Sequence, residues 1–89
     1  MITEAEKRII KDISRKYNIK RVLLFGSCLL PTKESADIDL AIEGISPKDF
    51  YKFYGDLLFA LTKPVDIVDL SGTSKFIQLI QQEGIPLYG

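Results

Sequence analysis

The chain has no histidine and no tryptophan, one cysteine, and no excess of either charge. Each absence closes a class of function. Without an imidazole, Ser-His-Asp and Cys-His catalysis are excluded, and so are most zinc sites. Ser27 and Cys28 therefore lack the usual partner for nucleophilic chemistry. A lone Cys28 makes no internal disulfide, which fits a reducing cytoplasm. Twelve Lys and Arg balance twelve Asp and Glu, whereas a domain that lives on nucleic-acid backbones carries a basic excess. Bulk attraction to DNA or RNA is not expected. The apolar runs fall far short of the roughly 20 residues a membrane span needs, and the opening residues do not read as a secretory leader. What remains for chemistry is carboxylates, hydroxyls, lysines, arginines and backbone amides. That set suits a hard, oxygen-preferring cation such as Mg²⁺.

At 89 residues the expectation is a single domain spanning 1–89. Thr3 and Glu6 have capping-box spacing, and Ala5, Ile9, Ile13 and Tyr17, with Ile10 beside them, make the apolar stripe of a helix over about 4–17. Val22 to Phe25 form an unbroken apolar run, as expected of a strand covered on both faces. Gly26 ends it, and 28–36 read as a loop. A second strand is expected from Asp37 to about Ile42. Ser46-Pro47 then opens a helix whose apolar positions are Phe50, Phe53, Tyr54, Leu57, Leu58 and Leu61. Val65 to Asp69 make a third strand, and a last helix over about 73–83 stops at Gly84 before a short tail. This order predicts an α/β protein: a small mixed sheet of about three strands with helices packed against one face.

The chemistry concentrates in "LLFGSCLLPTKESADIDLAI", residues 23–42. Side chains alternate along a strand, so Asp37 and Asp39 point the same way, with Cα atoms roughly 6.5–7 Å apart. Left bare at ~4 Å, two such charges repel by about 4 kcal/mol at an effective dielectric of 20. A cation removes that penalty. The alternative for an isolated Asp-x-Asp is the solvent face of an edge strand, but the preceding Gly-Ser changes the weighting. Gly26 lets the backbone turn sharply and approach a ligand, and Ser27 offers a hydroxyl and an N–H suited to phosphate. In "KPVDIVDL", Asp66 sits within an apolar strand, where an unpaired charge is costly. It is the candidate third metal ligand, against the alternative of a structural or edge position. Asp69, on the opposite face, suits a turn or cap.

Strand-Gly-Ser, a loop, Asp-x-Asp in the next strand and an Asp in the third resemble the nucleotidyltransferase superfamily of DNA polymerase β. The size resembles that of the minimal nucleotidyltransferases, and the closing "QQEGIPLYG" is similar to the family's usual ending. The resemblance implies the nucleotidyltransferase fold. It implies that Gly26 and Ser27 hold the triphosphate of ATP, that Asp37, Asp39 and Asp66 bind Mg²⁺ (two ions), and that Asp66 helps deprotonate the attacking hydroxyl. The product implied is an acceptor carrying AMP. It further implies an antitoxin-like protein paired with a HEPN-domain partner, whose hydroxyl serves as acceptor. Where the family often has an Arg and a small residue after the Ser, this chain has Cys28-Leu29-Leu30-Pro31; Lys33 is the candidate substitute charge toward the nucleotide.

Two readings follow, an Mg²⁺-dependent nucleotidyltransferase and a module of the same fold that acts by stoichiometric binding to its partner. The carboxylate set favours the first, the altered loop the second. Phe76, Ile77, Leu79 and Ile80 exceed a narrow stripe on the last helix, so they are candidates for a homo- or hetero-oligomeric surface, against the alternative that they pack in the core.

Overall fold

In the computed structural model, residues 2–26 and 37–89 are described. The elements run α1 (Glu4–Lys16), β1 (Arg21–Phe25), β2 (Ile38–Glu43), α2 (Pro47–Ala60), β3 (Val65–Asp69), α3 (Lys75–Glu83) and β4 (Ile85–Tyr88).

Local chemistry sets most of these boundaries. The Thr3 hydroxyl accepts from the Glu6 N–H at 3.1 Å while the Glu6 carboxylate accepts from the Thr3 N–H at 2.7 Å, a complete capping box. Asn18 takes the left-handed conformation (φ 54°) just beyond α1, which asparagine tolerates better than most residues. Pro47 occupies the first turn of α2, whereas Ser46 makes no side-chain cap bond. The start of α3 is set by Ser74, whose hydroxyl accepts from the Ile77 N–H, so the helix opens two residues later than expected.

The sheet has four strands in the order β3-β2-β1-β4. β1 pairs antiparallel with β2 and with β4, while β2 and β3 run parallel through α2. The sheet is mixed, as expected, but the expected tail is its fourth strand. Pro86 hid it: proline suits an edge strand, and β4 lies at the edge.

A second correction concerns the layers. Val22, Leu24, Ile38, Leu40, Ile42 and Val65 pack with Ile10, Phe53 and Leu57 of α1 and α2 on one face. Leu23 and Ala41 pack with Leu70 and Ile80 on the other, under α3. Helices therefore cover both faces, which is what the unbroken apolar run of β1 demands. Within α1 the fully buried positions are Ile10 and Ser14, and Ala5 is exposed, so the burial line is shifted from the stripe that began at Ala5. Ser14 satisfies its hydroxyl by donating to the Ile10 carbonyl at 2.6 Å.

Candidate functional site

Strand register brings the carboxylates together. Asp39 in β2 stands opposite Asp66 in the parallel β3, and opposite Phe25 in the antiparallel β1. Adjacent strands lie about 4.8 Å apart, and residues paired in register share a face. Ala41, two residues from Asp39, belongs to the cluster under α3, so Asp39 and Asp66 stand on the α3 face. Asp37 precedes β2 at an exposed position.

Electrostatics report the same grouping. The Asp39 carboxyl is pushed above its ordinary range, first by partial burial, then by the negative charges of Asp66 and Asp37. Two like charges thus act on one half-buried group. Gly26, directly after β1, completes this corner. Its φ of +75° is left-handed, and a Cβ there would run into Oδ2 of Asp39. Only glycine lets the chain turn this close to the carboxylate.

Of the residues expected from the sequence, Gly26, Asp37, Asp39 and Asp66 fall at one end of the sheet, Asp39 and Asp66 on one face of it. Ser27 and Lys33 lie outside the described residues, as does the Cys28–Pro31 stretch. Asp69 is elsewhere: its carboxylate accepts from the Ser71 N–H at 2.9 Å, the turn role expected of it. Among the described residues, no three His, Cys, Asp or Glu side chains converge closely enough to enclose a metal ion. The donor chemistry still fits Mg²⁺, since all candidates are carboxylates and their mutual repulsion is what a divalent cation relieves.

The sequence reading missed the apolar wall of this corner. Phe25 and Phe76 meet edge-to-face with centroids 6.0 Å apart, and a groove beside them is lined by Gly26, Leu79, Ile80 and Glu83. Its signal was the apolar excess of α3, whose four residues divide. Ile80 is buried, Ile77 half-buried, and Phe76 and Leu79 are exposed along the groove.

With this geometry established, the likeness to known proteins is specific. Residues 7–89 match the family described as Polymerase beta, Nucleotidyltransferase. The chain belongs to that nucleotidyltransferase family. Among solved structures it is similar to the toxin–antitoxin complex MntA–HepT (24% identity, TM-score 0.73, 98% of this chain and 73% of that one). It is also similar to a toxin–antitoxin structure with AMP-PNP (26% identity, TM-score 0.73, 98% and 74%). A third is a tri-AMPylated HEPN toxin with its MNT antitoxin from Shewanella oneidensis (24% identity, TM-score 0.75, 99% and 73%). No curated protein matches the chain. Among the described residues, no helix is long and apolar enough to cross a membrane.

Proposed function

We propose that residues 1–89 act as a single Mg²⁺-dependent domain that transfers AMP from ATP to a hydroxyl of a HEPN-domain partner protein, as an antitoxin. The observation that carries the reading is the register of Asp39 against Asp66 beside Gly26, with Asp37 close enough to act on Asp39. Membership of the nucleotidyltransferase family supports it. So do the similar structures, one with AMP-PNP and one with an AMPylated HEPN toxin.

In this reading Gly26 leaves the backbone open to the triphosphate, with Ser27 and Lys33 as further phosphate contacts. Asp37, Asp39 and Asp66 hold the Mg²⁺ ions. When bound, the metal neutralises charge on the α-phosphate and on the departing pyrophosphate. The acceptor oxygen bonds to the α-phosphorus, and the bond from that phosphorus to the bridging oxygen of the β-phosphate breaks. Pyrophosphate leaves with the bonding pair, and the hydroxyl proton passes to the Asp66 carboxylate. Asp39, the half-buried member, fixes the position of the set.

A second reading keeps the fold but not the turnover, with the chain acting by stoichiometric association. The Cys28-Leu29-Leu30-Pro31 stretch favours it, since it offers no charge to a triphosphate. Label transfer from α-³²P-ATP with Mg²⁺ to the co-expressed HEPN partner separates the two. The expected result is label on the partner, reduced by about 10²–10³-fold in Asp39→Asn. Absence of label, with the partner still bound, supports the binding module.

A further inference from the structure

Helix α2 turns Phe53 and Leu57 into the core, yet its outer side is also apolar. Phe59 is 95% exposed, Tyr51 79% and Leu58 50%. The three surround Gly55, at four residues before it and three and four after it, so they share one helix face. Among the described residues, nothing packs against Gly55 closely enough to require a glycine there. A Cβ there would meet nothing within 4 Å, and its backbone is ordinary helix. Glycine in a helix interior is unfavourable relative to alanine. A mid-helix glycine of this kind, ringed by large exposed apolar side chains, has the form of a seat for another backbone or side chain.

We infer that this face of α2 packs against α2 of a second copy, antiparallel about a two-fold axis at Gly55. The sequence is self-complementary in that arrangement. Residues equidistant from Gly55 meet, so Tyr51 faces Phe59 of the other copy, twice over, and Lys52 faces Leu58. Lys48 then lies opposite Thr62, just past the other α2. The last turn of α2 carries no basic residue, and among the described residues neither lysine has an ion-pair partner. The antiparallel packing brings these two ammonium groups to the negative end of the opposing helix. A parallel packing would set lysine against lysine. The exposed part of α3 makes no such case, because Phe76 and Leu79 line the groove of the site already described.

Two aromatics and a leucine per copy make a contact near the small end of stable interfaces, so the dimer dissociates on dilution. Sedimentation equilibrium of the full chain from ~1 to ~200 µM tests it, with a dissociation constant expected in the range of roughly 1–100 µM. Phe59→Asp should weaken the dimer at least ~10-fold. Gly55→Leu should also leave a monomer, while its Tm stays equal to or above that of the wild type because the added side chain meets nothing in its own chain. A wild-type chain that stays monomeric at ~200 µM would overturn the inference. So would a dimer unmoved by both substitutions, which would place the contact elsewhere. The inference stands independently of whether the carboxylate site transfers nucleotides.

Discussion

On one face of the sheet, α1 and α2 bury Ile10, Phe53 and Leu57 completely against Val22, Leu40 and Ile42; on the other, α3 contributes a single buried side chain, Ile80. The second face carries Asp39 and Asp66. Among the described residues it is shielded over Leu23 and Ala41, whereas Gly26, Asp37 and Asp66 are exposed. The pairing of thick cover with a continuous apolar layer, and thin cover with repelling carboxylates, has a physical basis. A cluster of like charges needs water or a cation, so it cannot share a face with the side chains that supply most of the stability. The large core tolerates a strained, charged corner because it lies on the other side of one sheet.

The largest expected contrast between the faces is in core deletions. Phe53→Ala should cost about 3–5 kcal/mol, a large part of the ~4–13 kcal/mol expected for a domain of this size. Ile80→Ala should cost about 2 kcal/mol, the lower end for such a change, because its surroundings are already partly open. Urea unfolding of both variants measures the difference. Equal losses would mean that α3 is as integral to the core as α2, and the contrast would fail.

Gly26→Ala probes the thin side directly. Its positive φ and the collision with the Asp39 carboxylate should cost about 1–3 kcal/mol in the same urea assay. The proposed metal site predicts a rise in wild-type Tm with Mg²⁺, and the variant should lose that rise, since the carboxylate must move to make room. A variant with unchanged Tm and an unchanged Mg²⁺ response would mean that the close approach of Gly26 to Asp39 is incidental.

Asp39→Asn reverses the usual sign of a mutation. It removes a half-buried charge repelled by Asp66 and Asp37, so without divalent cation the variant should be the more stable, with Tm higher by roughly 2–5 °C. Added Mg²⁺ should raise the wild type toward it and leave the variant unmoved. Calorimetry with and without the metal reads both effects.

How far the sequence foretold these features depends on the range of the interaction behind each. The capping box of α1 and the proline opening of α2 are decided within a few residues, and they stand as read. The gathering of Asp39 and Asp66 was half legible. Alternation gave the face of Asp37 and Asp39, but only the parallel register of β2 and β3 places Asp66 alongside. The fourth strand and the second helical layer depend on pairing across the chain, and "IPLY" with its proline carries little strand signal of its own. Periodicity also overstated Leu58: it continues the apolar pattern of α2 but turns away from the sheet, because the core-facing stripe is already filled by Phe53, Leu57 and Leu61.

The smallest expected effect is also the one that sets the faces in opposite senses. At the start of α1, burial pushes the Glu6 carboxyl up. The Thr3 N–H, Lys63 at 3.3 Å and the Thr3 hydroxyl outweigh burial, so the carboxyl ends below its ordinary value. A lowered native pKa means that the unfolded chain binds the proton first as pH falls. Glu6 therefore contributes stability above its ordinary pKa of 4.5 that is lost as pH drops through the lowered native value. Asp39 behaves in reverse. Its raised native pKa makes the folded chain hold the proton more tightly, so stability is lost as pH rises from its ordinary 3.8 toward the raised value. Glu6→Gln should lower stability by about 1 kcal/mol at pH 7, with the deficit shrinking in acid. Asp39→Asn should confer a gain that likewise shrinks in acid, where the wild-type carboxyl is already protonated. Urea titrations of the two variants between pH 3 and 7 should therefore converge on the wild type from opposite sides, and convergence from the same side would mean that the thin face does not strain its carboxylates at all.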